Sequence, residues 1–166
     1  MKISEAATDF LSSRRIAVTG VSHAPHGHGS NAVYQRLRQR GYEVFAVNPN
    51  ADTVEGARSY HALAEIPGGV DWVVIGTKPE TAESTVRECV DLGIKRVWMH
   101  RGPGGGSVSK PAAEYGRQHG VTVIDGGCPC MFAPTADGGH RFIRTVCTLT
   151  RAVPRTVAEA EPVTSG

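Results

Sequence analysis

Apolar residues fall along this chain in short runs separated by longer amphipathic or polar stretches. Five runs, RIAVTG (15–20), YEVFAVN (42–48), VDWVVIG (70–76), IKRVWMH (94–100) and VTVID (121–125), are each five to seven residues long and rich in valine and isoleucine. Runs of that length and composition predict buried strands. The segments between them carry apolar positions at the three- and four-residue spacing of helices. In NAVYQRLRQRG (31–41), Val33, Tyr34 and Leu37 share a face, Ser30 stands in capping position and Gly41 ends the pattern. A second helix is predicted from TKPE (77–80), where Thr77 and Glu80 fit a capping box, to about Leu92. It would bury Ala82, Val86, Cys89 and Val90, and Gly93 would stop it. A third helix covers about 108–119, and RFIRTVCTLTRA (141–152) predicts one more. Residues 50–69 read as irregular, with one helical turn at HALAEI, and the terminal AEAEPVTSG reads as a solvated tail.

Strands alternating with helices predict an α/β protein: a Rossmann-like three-layer fold with a five-stranded, mainly parallel sheet. The 166 residues suffice for one core, divided as a domain over 1–135 and a C-terminal helical extension with a flexible tail over 136–166. Composition leaves this picture unchanged and narrows the partners. A formal net charge of +2 argues against nucleic acid or a membrane surface. No apolar run approaches the ~20 residues needed to span a bilayer. The opening MKISEAATDFLSS lacks the apolar centre of a signal peptide, so a cytoplasmic location is expected. Cys89, Cys128, Cys130 and Cys147 are then expected to be reduced.

Open parallel sheets take ligands beyond the carboxyl ends of their strands. Here those ends are 20–31, 48–50, 76–79, 100–107 and 125–130, all rich in glycine, proline or small polar residues. In GVSHAPHGHGSN (20–31), Gly20 permits a tight turn, Ser22 offers a hydroxyl and the following helix start favours phosphate. Gly20, Gly27 and Gly29 do not have G-x-G-x-x-G spacing, and an ordinary glycine-rich turn is the alternative. The second strand ends in Asn48-Pro49-Asn50, where an NAD-binding fold normally has an acidic residue for the ribose. Lys78 reads as a phosphate or adenine-side contact or as a solvated residue, and Arg36, Arg38 and Arg40 as a solvated basic face. His23, His26 and His28 lack helical ligand spacing and an interleaved carboxylate, so no metal site is expected. Cys128, flanking Pro129, is a thiol activated by backbone dipoles or a small buried apolar residue. His100 and Arg101 are the best acid–base pair if a reaction occurs, but no catalytic residue is assigned.

With this first loop, VNPN, GTKP and GGCPCMF in that order, the chain resembles the stand-alone CoA-binding protein family. These are small relatives of the CoA-binding N-terminal domain of the succinyl-CoA synthetase α-subunit, and the resemblance covers roughly residues 14–135. It implies that CoA or an acyl-CoA is the ligand. Gly20 and Ser22 match the family's phosphate loop, with Asn31 at the helix start beside it. Asn48 and Pro49 match the turn bordering the nucleotide, and Thr77, Lys78 and Pro79 the segment passing near the cofactor. Gly127, Cys128 and Pro129 match the turn toward which the pantetheine arm points. The three histidines of HAPHGH depart from the pattern. The synthetases' second domain, with its phosphorylated histidine, is not expected in the thirty or so residues that follow. A binding module is therefore expected rather than a complete ligase, with a homodimer left open. The alternatives are an NAD(P)-dependent oxidoreductase of Rossmann type and a scaffold subunit whose cleft has lost its ligand.

Overall fold

In a computed structural model, which describes residues 1–23, 29–102, 105–132, 153–158 and 160, each of the five apolar runs contains a strand. They are β1 (Arg15–Thr19), β2 (Glu43–Val47), β5 (Trp72–Ile75), β6 (Arg96–Met99) and β9 (Thr122–Asp125). The helices between them are α2 (Gly29–Gln39), α3 (Pro79–Asp91) and α4 (Lys110–Gln118). The sheet is larger than five strands. Residues 50–69 are not irregular throughout: they hold β3 (Thr53–Val54) and β4 (Ala57–Tyr60), which extend the sheet to the order β3-β4-β2-β1-β5-β6-β9. Apart from the antiparallel β3–β4 pair, all neighbours run parallel. The added strands escaped the hydrophobic pattern because β3 has two residues and ARSY in β4 carries mostly exposed or half-exposed side chains. A separate two-stranded ribbon joins β7 (Arg101–Gly102) to β8 (Gly105–Gly106).

Alternation along each central strand divides the core into two layers. Ile16, Val18, Trp72, Val74, Trp98 and Ile124 face α2, whereas Ala17, Val73, Ile75, Val97, Met99 and Val123 face α3 and α4. Chain order therefore reverses between β1 and β5: one half winds outward through α2 to β2, the other through α3 and α4 to β6 and β9.

The opening segment forms a helix, α1 (Ile3–Ser12), that the sequence reading did not anticipate. Its buried residues Ile3, Ala6, Ala7, Phe10 and Leu11 follow the spacing of one helical face. Phe10 stands edge-on to Trp72 and Trp98 at centroid distances of 4.5 and 5.0 Å. Asp9 pairs with Arg96 at 3.1 Å on the same side of the sheet. Residues 153–157 return to this helix. The Ile3 N–H donates to the Arg155 carbonyl, the Val157 N–H donates to the Met1 carbonyl, and Val153 and Val157 join the core layer beneath α1. The predicted helix over 141–152 lies outside the described residues.

Because Phe10 is fully buried between two indoles, Phe10→Ala is expected to cost about 3–5 kcal/mol in urea unfolding. Leu92→Ala, at a side chain 45% exposed, should stay within about 0.5 kcal/mol. A Phe10→Ala loss as small as that of Leu92→Ala would mean that α1 is not part of the core.

Candidate functional site

Beyond their last paired residues, β1 and β5 lead to opposite faces of the sheet, the switch point at which open parallel sheets form a ligand crevice. Its floor is backbone. Gly20 has φ +74°, and a Cβ there would lie 2.8 Å from both the carbonyl carbon and oxygen of Gly76. Gly76 is closed in from the other side, since a Cβ on it would come within 2.0 Å of Ser30 Oγ and 2.7 Å of the Thr19 carbonyl. Its backbone groups are matched by two hydroxyls. The Gly76 N–H donates to Thr19 Oγ1 (3.2 Å), and Ser30 Oγ donates to the Gly76 carbonyl (3.0 Å). Ser30 therefore lies inside α2 and does not cap it. This contact draws the N-terminus of α2 onto the end of β5, while Gly29 packs on His100 at the end of β6, its Cβ position 3.0 Å from Cε1.

Two asparagines hold the segment leaving β1. Asn31 accepts from the Ser22 N–H (2.9 Å) and donates to the Ser22 carbonyl (2.8 Å), while Asn48 donates to the Val21 carbonyl (2.8 Å). Asn48 also accepts from the Asn50 N–H (2.8 Å), shaping the turn that contains the exposed Pro49. Both side chains thus build the loop, and the amide of Asn48 is committed to it.

The third strand end differs from the sequence expectation. Thr77 does not cap α3; Lys78 is the N-cap residue, Pro79 opens the helix, and no side chain bonds to the cap. Pro79 holds the residue before it in extended backbone, so the helix begins at Pro79 and the cap position falls on Lys78, one residue beyond Thr77. Thr77 Oγ1 is buried and has no partner among the described residues. An unpaired buried hydroxyl beside a backbone cradle is what a polar ligand would satisfy. Lys78 is exposed next to it.

Gly127, Cys128 and Pro129 follow β9 and lead into a short helical turn that packs on α2. The Gly127 carbonyl accepts from the Arg101 N–H (2.8 Å), and Gly127 packs on Val153. Cys128 is 7% exposed and belongs, with Cys130 and Phe132, to the core layer around Trp98. That burial favours the reading of a small apolar residue over an activated thiol. His23 is exposed, while His26, His28 and Cys147 lie outside the described residues. Among the described residues no group of three His, Cys, Asp or Glu could hold a metal.

The pattern reading did not single out Gly76, Gly29 or Thr19. The signal for Gly76 is its place as the last residue of the apolar run VDWVVIG, 46 positions beyond Ser30 and 57 beyond Thr19. A cavity of about 410 Å³ lies at the opposite end of the sheet, lined by Arg15, Leu63, Ile66, Asp71 and Gly93 among others. Its charges are already matched. Arg15 donates to the Gly69 and Pro67 carbonyls and pairs with Glu43, and Asp71 accepts from the Arg14 and Arg15 N–H groups. The crevice, not this cavity, has unmet hydrogen-bonding capacity.

Burial lowers the His100 pKa to about 4, so its ring is neutral near pH 7. Protonation consequently favours the unfolded chain, whose histidine titrates near the ordinary 6.5. The stability this gives is complete above pH 6.5 and is lost as pH falls toward 4. The stability of the wild type is expected to fall faster across that window than that of His100→Asn, by about one proton's worth of slope, in urea titrations at stepped pH. Parallel curves would contradict the buried, neutral ring.

Residues 14–134 match the family described as the CoA binding domain. The α-subunit of acetate–CoA ligase [ADP-forming] II from Pyrococcus furiosus is 30% identical over 141 residues, covering 81% of this chain and 31% of that protein. The chain thus spans about a third of that relative's length. The uncharacterized protein YneT of Bacillus subtilis is 30% identical over 112 residues, 68% of this chain and 79% of that protein. Among solved structures, a hypothetical protein from Pyrococcus horikoshii superposes with a TM-score of 0.69 at 25% identity, covering 76% of this chain and 86% of that one.

Proposed function

The chain belongs to the CoA binding domain family, and we propose that it is a binding module for CoA or an acyl-CoA. The observation that carries this reading is the backbone cradle of Gly20 and Gly76 under the start of α2, with Thr77 Oγ1 left unpaired beside it. A helix start presents N–H groups with no partner inside the helix and a partial positive charge, which suits a pyrophosphate. The missing Cβ atoms let the ends of β1 and β5 and the start of α2 close on one another, which brings the helix start to the switch point. Thr77 would donate its hydroxyl, and Lys78 would supply a mobile positive charge at the same rim. Gly20, Ser22, Asn31, Asn48 and Pro49 would then shape the nucleotide end. Pro79 would pass near the cofactor beside Thr77 and Lys78, and Gly127, Cys128 and Pro129 would border the pantetheine end, with the Cys128 thiol buried behind it.

The ligase reaction of the Pyrococcus relative is not carried over to this chain. Asn48 supports CoA over NAD, since its side chain is spent on the loop and carries no carboxylate for a ribose diol. The helix start and the Thr77 hydroxyl support a phosphate-bearing ligand with further polar groups, and CoA has both.

CoA is therefore expected to raise the melting temperature by several degrees at a hundred times its Kd, where binding contributes about 2.7 kcal/mol. NAD and NADP should give much smaller shifts in the same thermal assay. Equal or larger shifts with NAD would reverse the assignment. If Lys78 contacts the 3′-phosphate, Lys78→Ala should weaken CoA about tenfold in calorimetric titration and leave dephospho-CoA nearly unchanged. Equal losses for the two ligands would place Lys78 elsewhere on the rim.

A further inference from the structure

The turn between β3 and β4 consists of two residues, Glu55 and Gly56, with φ of +49° and +71°. Two positive values mark a type I′ hairpin turn, whose first position is the place of asparagine, aspartate or glycine. Glutamate is poorly suited to that backbone, and among the described residues Glu55 alone combines a side chain with positive φ. Its side chain explains the choice. The carboxylate reaches across to the first turns of α2, accepting from Asn31 Nδ2 (2.6 Å) and Gln35 Nε2 (2.8 Å). These two hydrogen bonds hold the carboxyl below its ordinary pKa, so it is charged at neutral pH.

Asn31 is the element that transmits this contact. It is 2% exposed, and its amide makes three hydrogen bonds: two to the backbone of Ser22 and one to Glu55. The pair of bonds to Ser22 mimics one rung of a sheet and sets the direction in which the chain leaves Gly20. Glu55 occupies one of the two amide hydrogens, fixing both the rotamer of Asn31 and which end of its amide faces the Ser22 N–H. The hairpin that extends the sheet edge is thereby tied to the loop at the switch point, through one carboxylate.

We infer that Glu55 is a positioning residue for the crevice: from the β3–β4 turn it fixes Asn31, and through Asn31 the Val21–Ser22 segment that the ligand meets. The inference rests on the CoA-binding reading for the identity of that ligand. It assigns Glu55 no contact with CoA.

Two substitutions separate the side chain's role from the turn's. Glu55→Asn suits the turn backbone, since Asn-Gly is a favoured type I′ pair, but is one methylene too short to reach Asn31. Glu55→Gln keeps the reach and one acceptor. Calorimetric titration with CoA should show Glu55→Asn weakened about tenfold while its melting temperature is unchanged or higher, and Glu55→Gln within about threefold of wild type. Amide hydrogen exchange at Ser22 should quicken in Glu55→Asn and stay slow in Glu55→Gln. Wild-type affinity in Glu55→Asn, or losses that track the melting temperature in both variants, would overturn the inference. If the wild-type chain takes no CoA, the binding reading fails instead. The clamp is then judged on Ser22 exchange alone, which must still distinguish the two variants.

Discussion

The site depends on how closely two backbones approach where β1 and β5 end. These strands are paired in register from Ile16 with Trp72 to Val18 with Val74, and their continuations must separate because α2 and α3 lie on opposite faces. At the point of separation Gly20 and Gly76 meet without side chains between them. An alanine at either position would collide with peptide atoms, which cannot rotate away as a side-chain tip can. The approach also fixes α2. Ser30 can donate to the Gly76 carbonyl only because nothing projects from Gly76, and the helix start then settles on His100 through Gly29. Helix position and the partial desolvation of His100 both follow from the same contact.

Polar side chains around the crevice divide into two groups. Thr19, Ser30 and Asn48 bond to neighbouring backbone, Asn31 to the Ser22 backbone and the Glu55 carboxylate, and together they define the shape of the loop. Thr77 and Lys78 are not used in this way, and they sit together at the rim. A rigid frame with a few uncommitted groups is the arrangement that binding sites require, because the ligand need not order the residues that receive it. The opposite cavity has the reverse character: it has room, but Arg15 and Asp71 are already matched within the protein.

Much of the frame was legible in the sequence because it follows from hydrophobic period. The five central strands, α2, α3 and α4 appear as apolar runs and amphipathic segments, and a glycine-rich loop after β1 marks the switch point. What escaped were features fixed by tertiary contact. The segment containing α1 was read only for targeting signals, although Ile3, Ala6, Ala7, Phe10 and Leu11 carry a clear helical stripe. β4 lies one strand in from the sheet edge and has a single buried residue, Ser59, too weak a pattern to register. The capping box at Thr77 satisfied the spacing rule, but Pro79 keeps Lys78 extended and so moves the helix start one residue past it. Gly76 and Glu55 act on residues 46 and 24 positions away, a distance at which no local pattern operates. The family resemblance supplied the ligand, and it did so through motif order rather than through any one of these contacts.

The most direct test is hydrogen–deuterium exchange by mass spectrometry on the chain with and without CoA. Protection is expected in peptides that cover the ends of β1 and β5 and the start of α2, around Gly20–Ser22, Gly29–Asn31 and Gly76–Lys78. Peptides spanning Leu63–Asp71 and Leu92–Ile94 at the opposite end of the sheet should exchange at unchanged rates. Protection concentrated at that opposite end, with the Gly20–Gly76 contact unaffected by saturating CoA, would contradict the account.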